Sequence, residues 1–365
     1  MTNERDRLDL LFLTGIEGMT QKKIVEALEV TEASPSELLG QIEKFKARLL
    51  DIFGEPLYHL TASLNNGEYK NGLLSALKNE GANFVTFLDD GYPENLREIP
   101  DFPIILYYKG DAGLLNGRLF SIVGTRNPSA YGRRVTKEFA EELACAGFVI
   151  VSGLARGVDS IAHRAALDNN MPTVAVCATG IDAVYPAENR GLAAEIIESG
   201  GLIITEYKPK TPPMSYHFPH RNRIISALSR SVLVTEAGEN SGSLITVNYA
   251  VDQGKNVYIV PGGIYAAESK GANKFLKKFQ GALVTEVNDI LEDNNLCGRK
   301  RVNNGIELDL IENLIVTELE KGEKHFDELL SLTGLEIGKL NAILMSLTMI
   351  GQIEETGNNY YYIAK

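Results

Sequence analysis

Short apolar runs alternate with amphipathic stretches of helical spacing through the middle of the chain. The runs are rich in β-branched residues and most end at a glycine, which is typical of strands buried on both faces. Strands that alternate with helices of this length predict an α/β fold with a Rossmann-like, doubly wound, mostly parallel sheet. The runs are LFSIVG, FVIVSG, TVAVCATG, GLIITE, SVLVTEA and NVYIVPGG.

The two ends of the chain have different patterns. Residues 1–80 show helical apolar spacing in LDLLFL and KIVEALEV, which predicts a small helical hairpin domain of the helix-hairpin-helix or SAM type. Residues 81–291 form the predicted Rossmann-like domain, and the polar, Asn- and Gly-rich residues 292–305 predict a linker. Residues 306–365 show three helical patterns and a β-wing, the outline of a winged helix.

Composition supports an ordinary folded protein and excludes several classes. Hydrophobic residues make up 44% and charged residues 23% of the 365 residues, as in soluble globular proteins. No apolar run approaches the roughly 18 residues of a membrane span, and the charged N-terminus lacks the apolar core of a signal peptide. The three cysteines are far apart, and no His/Cys spacing fits zinc. We therefore expect a cytoplasmic protein without membrane insertion and without a bound metal.

The net charge of -12 is unevenly distributed along the chain. Residues 1–117 hold 11 Lys+Arg against 19 Asp+Glu (-8), residues 118–290 hold 18 against 16 (+2), and residues 301–365 hold 5 against 11 (-6). Phosphate binding depends on the local field of a groove rather than on the total charge. The central block is therefore the candidate for a phosphate-bearing partner. For the acidic C-terminal block, a protein-facing or regulatory role fits better.

Two glycine turns that each carry an arginine follow successive predicted strands. SIVGTRNPSAYG and VSGLARGVDSIAH join a strand end to a helix start, where backbone N–H groups and the helix N-terminus make an anion site. The arginine adds a guanidinium that pairs well with phosphate. The dinucleotide fingerprint GxGxxG is absent, since only Gly124 of its three glycines is present. The candidate phosphate-binding residues of the two turns are Gly124, Thr125, Arg126, Ser129, Tyr131, Gly132, Gly153, Arg156 and Gly157.

Two later segments add an aromatic ring, further guanidiniums and hydroxyl groups. HFPHRNRIISALS offers a ring for base stacking and two arginines for phosphates, as a sequence-tolerant single-strand site requires. The alternative for this segment is a helix start whose arginines form salt bridges. The SGS tripeptide joins a strand to a helix and forms another phosphate-type cradle. The candidates here are Phe218, Arg221, Asn222, Arg223, Ser241, Gly242 and Ser243.

Motifs for catalysis are missing from the sequence. It contains no Walker A loop, no GxSxG elbow and no pair of carboxylates spaced for a metal. Asp159 and Glu236 lie at turn or strand ends, but nothing in the sequence pairs either with a nucleophile. A groove rich in phosphate holders and poor in acids and bases predicts binding without catalysis and without a cofactor.

Taken together, these segments resemble the family of DNA-processing proteins called DprA or Smf. GTRNPSAYG, GLARGVDSIAH, GIDAVYPAENRGL, FPHRNRIISALS and SGSLITVNYAVDQGKNVYIVPG follow one another in the family's order and spacing, and the resemblance covers residues 85–290. It implies binding and protection of single-stranded DNA and loading of the RecA recombinase onto it during natural transformation. It also implies a homodimer, with a pairing surface near Phe275 and Leu276, and it places the DNA contacts on the candidates named above.

Three other functions are weaker alternatives. The Pro-Gly-Gly at residues 261–263 is similar to that of nucleoside-monophosphate phosphoribohydrolases, but their PGGxGTxxE is PGGIYAAE here, without the Gly-Thr that would hold the phosphate. A dinucleotide-dependent oxidoreductase lacks its fingerprint. A duplex-specific regulator acting through the winged helix conflicts with the acidity of that domain.

Overall fold

The computed structural model describes residues 4–278, 280–294, 309–350, 352–356 and 359–363. They belong to two compact units, one within residues 1–297 and one within residues 298–365. All but the first three residues of the predicted linker lie outside the described residues. The boundaries after residues 80 and 305 stay predictions.

Six helices begin the first unit: α1 (Glu4–Gly15), α2 (Gln21–Thr31), α3 (Pro35–Gly40), α4 (Lys46–Phe53), α5 (Glu55–Leu64) and α6 (Gly67–Asn79). Local sequence signals define where they start. Thr20 caps α2 by accepting a hydrogen bond from the Lys23 N–H, and Ser34 with Glu37 forms a capping box at α3. The buried side chains of α1 join an apolar cluster that continues onto the sheet.

The sheet of the first unit has nine strands: β1 (Asn83–Thr86), β2 (Ile105–Gly110), β3 (Leu119–Val123), β4 (Val149–Ser152), β5 (Thr173–Val176), β6 (Leu202–Thr205), β7 (Ser231–Val234), β8 (Asn256–Ile259) and β9 (Ala282–Leu283). Their order is β1-β2-β6-β5-β4-β3-β7-β8-β9. β1 and β2 pair antiparallel with each other and β2 with β6, whereas the remaining pairs are parallel. The α/β, mostly parallel, Rossmann-like fold predicted from the alternation of runs is confirmed.

Helices cover both faces of this sheet: α7 (Glu94–Arg97), α8 (Ala130–Cys145), α9 (Val158–Asp168), α10 (Arg190–Glu198), α11 (His217–Leu228), α12 (Ser243–Asp252), α13 (Lys270–Lys277) and α14 (Val287–Asp293). Successive side chains of a strand point to opposite faces, so β3 contributes to two cores. Ile122 packs with α8, α9 and α14, and Val123 packs with α11 and α12. The strand ends between these layers carry the candidate site.

The second unit contains α15 (Leu310–Glu320), β10 (Lys324–His325), α16 (Phe326–Thr333), α17 (Ile337–Met349), β11 (Ile353–Thr356) and β12 (Tyr360–Ile363). The strands form a small antiparallel sheet in the order β10-β12-β11. Leu329, Leu340, Leu344 and Ile353 are in its core. Its assignment as a winged helix stays a prediction. Within the described part of the chain, no helix is long and apolar enough to cross a membrane.

Candidate functional site

A cleft of about 650 Å³ opens where the strand order reverses between β3 and β7. The carboxyl ends of parallel strands at such a switch point are the usual ligand position in doubly wound sheets. A smaller hollow of about 150 Å³ beside it is lined by Gly153 and Arg156. The larger cleft is lined by the predicted site residues Gly124, Thr125, Arg126, Phe218, Arg221, Asn222, Ser241, Gly242 and Ser243.

The anion position behind the first glycine turn is filled by a carboxylate of the protein itself. Glu236, which is 2% exposed, accepts hydrogen bonds from the Ser129 N–H at 2.8 Å and the Ser129 Oγ–H at 2.6 Å. The Ser129 Oγ in turn accepts from the Gly132 N–H and so caps α8. We expected this helix start to hold a phosphate. The structure instead gives Ser129 and Gly132 to an internal carboxylate, so neither offers a free donor.

The second glycine turn is filled in the same way. Asp159 Oδ2 accepts hydrogen bonds from the Gly153 N–H at 3.1 Å and the Ala155 N–H at 3.2 Å. Burial raises the pKa of Asp159, while the nearby guanidinium of Arg221 and the backbone donors oppose that rise. These hydrogen bonds therefore fix the conformation of the turn, and the side chain of Arg156 is exposed to solvent.

Close contacts explain one glycine in each turn. Gly157 has a φ of +74°, and a Cβ there would lie 2.5 Å from the Thr125 carbonyl oxygen of the first turn. A Cβ on Gly132 would overlap the carboxylate of Glu236. Gly157 thus allows the two turns to pack and Gly132 leaves room for Glu236, and neither glycine lines the cleft.

Arg126 is an exposed cation that lines the cleft. Its guanidinium carbon lies 5.7 Å from the centre of the Phe218 ring, and the Phe218 ring centre lies 5.2 Å from that of Tyr185. Tyr185 is 48% exposed. The arrangement offers a guanidinium for an anion beside a pair of aromatic rings.

Other predicted residues extend this surface or support it. The N–H groups at the start of α12 already donate within the protein, those of Ser243 and Leu244 to Ser241 and that of Ile245 to the Gly242 carbonyl. This helix start therefore contributes its dipole to the cleft rather than free donors. Arg156 forms a solvent-exposed ion pair with Glu188 at 2.5 Å, a type of pair that contributes little stability and exchanges readily. Tyr131 donates a hydrogen bond from its hydroxyl to the Pro261 carbonyl and stands outside the cleft.

Arg221 lines the cleft but is only 4% exposed. Its Nη1 donates to the carbonyl oxygens of Gly153, at 2.8 Å, and of Val176. Burial lowers the pKa of Arg221, and the nearby Asp159 carboxylate opposes that effect. Two of its five N–H donors therefore hold the ends of β4 and β5 together.

Arg223 lies outside the cleft and is buried in an ion pair. Its Nη2 donates to Glu206 Oε2 at 2.6 Å, and its Nε donates to Asp101 Oδ2 at 3.1 Å. Arg223 is 4% exposed and Glu206 is 6% exposed. The expectation that Arg223 contacts phosphate is therefore replaced by the salt-bridge alternative for this residue.

His220 joins the same network through both ring nitrogens. It lies 3.0 Å from Asp101 and 3.2 Å from Glu206, and hydrogen bonds to Asp101 and then Glu206 raise the pKa of His220 to about 9. A pKa raised above the unfolded value near 6.5 adds stability that is complete below that value and lost as pH rises through about 9.

We therefore expect His220→Gln to lower the urea midpoint of unfolding most near pH 6 and least near pH 10. Urea titrations of both proteins across this range measure the difference. A difference that stays constant or grows with pH would contradict the charged state of His220.

Two buried groups beneath the cleft are unsuited to acid–base or nucleophilic chemistry. Burial lowers the pKa of His163 to about 3, and its Nδ1 lies 2.8 Å from the Thr173 hydroxyl. Burial raises the pKa of the Cys177 thiol to about 11. Among the described residues, no group of three or more His, Cys, Asp or Glu side chains could hold a metal ion.

Sequence reasoning missed Tyr185 and the structural roles of Glu236 and Asp159. Tyr185 stands in GIDAVYPAENRGL, and an aromatic residue next to a proline in a segment between two predicted elements was the available signal. Glu236 and Asp159 were noted only as acids at strand or turn ends. Phe275 and Leu276, the predicted pairing surface, lie on α13 and pack partly buried against the core, so that surface stays a prediction.

Comparisons with known proteins agree with this architecture. The chain is 38% identical over 281 residues to DNA processing protein DprA of Streptococcus pneumoniae, which covers 76% of this chain and 94% of that protein. The X-ray structure of S. pneumoniae DprA matches with a TM-score of 0.67 and 34% identity, over 80% of this chain and 99% of that one. A structure of DNA processing protein A from Helicobacter pylori, described by its single-stranded DNA binding mode, matches with a TM-score of 0.54 and 32% identity, over 59% of this chain and 95% of that one.

The fold and the cleft define a Rossmann-like α/β protein with a cationic, aromatic-lined groove at the switch point of its sheet. Residues 83–295 match the model of the family named DNA recombination-mediator protein A. The chain belongs to that family.

Proposed function

We propose that this protein binds single-stranded DNA in DNA processing, with the strand lying along the carboxyl ends of β4, β3 and β7. One observation carries the proposal: the exposed Arg126 guanidinium stands beside the Phe218 and Tyr185 rings, in a cleft whose glycine turns are already filled by Glu236 and Asp159. Exposed cations and rings without catalytic partners are what a sequence-tolerant single-strand site needs.

Each part of the cleft has a separate role in this proposal. Arg126 and the positive end of the α12 dipole at Gly242 and Ser243 neutralise phosphates, and Arg156 leaves its ion pair with Glu188 to bind a further phosphate. Phe218 and Tyr185 stack on bases, which are accessible only in an unpaired strand. Arg221 acts mainly through the strand ends that it holds.

The partners in this proposal are those that the family resemblance implies. The relative from H. pylori is described by its binding of single-stranded DNA, which supports the same ligand here. Loading of the RecA recombinase onto that DNA during natural transformation, pairing into a homodimer near Phe275 and Leu276, and a cytoplasmic location follow from the family resemblance. The acidic second unit then has a protein-facing role.

Binding without catalysis is part of the proposal. The carboxylates of Glu236 and Asp159 at this edge already accept hydrogen bonds from the backbone turns. His163 and Cys177 are buried, and their shifted pKa values keep both side chains uncharged at neutral pH. A nucleoside-monophosphate hydrolase would need an accessible acid or base near the bound nucleotide.

The direct test is a fluorescence-anisotropy titration with labelled oligo-dT and with a duplex of the same length at two salt concentrations. We expect tighter binding to the single strand and a steep fall in affinity with salt. Equal or tighter binding to the duplex, or no binding to either, contradicts the proposal. Release of free base from a nucleoside monophosphate would favour the hydrolase instead.

Replacing Arg126 by alanine should weaken binding to oligo-dT, oligo-dC and mixed strands by the same factor. The loss of one phosphate contact should also reduce the slope of log K against log salt by about 0.7. The matched control is Arg164→Ala, because Arg164 on α9 forms a surface ion pair with Glu195 and does not line the cleft. A loss confined to one sequence would argue for base readout by Arg126.

A further inference from the structure

A second polar cleft, of about 570 Å³, opens at the opposite edge of the sheet, where β3 and β7 begin. These strands are parallel neighbours, with Ser121 paired to Val232. Arg118 immediately precedes β3 and Arg230 immediately precedes β7, so the two arginines stand at the same mouth. The strands separate this cleft from the DNA groove at their other ends.

The guanidiniums of Arg118 and Arg230 are exposed and unpaired in the described part of the chain. Their backbones are held in place, because the Arg118 carbonyl accepts from the Val149 N–H at 2.8 Å and the Arg230 carbonyl accepts from the Asn256 N–H at 3.0 Å. Burial lowers the pKa of Lys255, with Glu98 opposing and the Arg230 guanidinium lowering it further. Positive charge at this mouth is therefore incompletely balanced by the protein.

Besides the two arginines, the cleft has the amides of Asn95 and Asn116, the carboxylate of Glu94 and the ring of Phe148.

We propose that this cleft binds a nucleoside phosphate. Arg118 and Arg230 hold the phosphates. Glu94 accepts hydrogen bonds from ribose hydroxyls, and the apolar wall around Phe148 contacts the base. The volume lies within the range of small-molecule sites. The proposal does not depend on the DNA groove.

Isothermal titration calorimetry of the full chain with ATP, with and without excess oligo-dT, tests this site. We expect one ATP per chain, with oligo-dT leaving the affinity unchanged. The double substitution Arg118→Ser and Arg230→Ser should weaken ATP binding on the order of tenfold or more. Arg164→Ser should leave ATP binding unchanged.

Three outcomes would overturn the proposal. No heat with millimolar ATP would show that the cleft takes no nucleotide. Competition by oligo-dT would place ATP in the DNA groove. Inorganic phosphate binding as tightly as ATP would show an anion site without recognition of the nucleoside.

Discussion

Arg223→Met should lower the free energy of unfolding by about 3–5 kcal/mol. The substitution removes one partner of a buried ion pair and leaves Glu206 as a charged group that is 6% exposed, without its 2.6 Å guanidinium partner. It also removes the hydrogen bond from Arg223 to Asp101. Urea denaturation at pH 7, followed by circular dichroism, measures the change.

The double variant Arg223→Met and Glu206→Gln is the matched control for this prediction. With the Glu206 charge removed as well, it should recover a large part of the lost stability, since replacing a whole buried pair is often nearly neutral. If the single variant unfolds at the wild-type midpoint, Glu206 is satisfied by other groups. A large loss of oligo-dT affinity without any loss of stability would return Arg223 to the DNA contacts.

Arg221→Met should lower the stability by a similarly large amount, and it should also weaken DNA binding. Removing the guanidinium leaves the carbonyl oxygens of Gly153 and Val176 without their donor and the buried Asp159 without its nearest cation. We expect a loss of about 3–5 kcal/mol in unfolding free energy. Oligo-dT affinity should fall with it, because the Gly153 turn that presents Arg156 loses its support.

Arg221→Met combined with Asp159→Asn tests the cause of this effect. Asn still accepts hydrogen bonds from the turn, so the double variant should regain stability relative to the single one. The surface control Arg164→Met should stay within about 0.5 kcal/mol of wild type. An Arg221→Met protein of wild-type stability that binds oligo-dT poorly would identify Arg221 as a direct phosphate ligand.

The groove contains fewer free arginines than its sequence motifs suggest. The sequence contains several arginines in glycine turns and at a helix start, and each was a candidate phosphate ligand. In the folded chain, Arg126 is exposed at the cleft and Arg156 is held only by a surface pair. Arg221 and Arg223 are buried and support the frame. The proposed affinity for DNA therefore depends on few cations, because two of these four arginines are structural.

The sequence by itself determined the strands and the edge on which the site lies. Runs of β-branched residues such as SIV in β3 and VLV in β7 are buried on both faces, and only a sheet covered by helices on both sides accommodates them. Glycines at the ends of these runs placed the turns at the carboxyl edge. Both features depend on residues close together in the chain, and so a local pattern suffices to predict them.

Only the tertiary structure decided which charges are free. Glu236 reaches Ser129 across 107 positions of sequence, and Arg223 meets Asp101 across 122. Whether an arginine faces solvent or a buried carboxylate depends on which distant strand ends the sheet brings together. A local sequence pattern shows that an arginine is present, but it shows neither the partner nor the burial of that arginine. These two properties determine whether a phosphate can bind it.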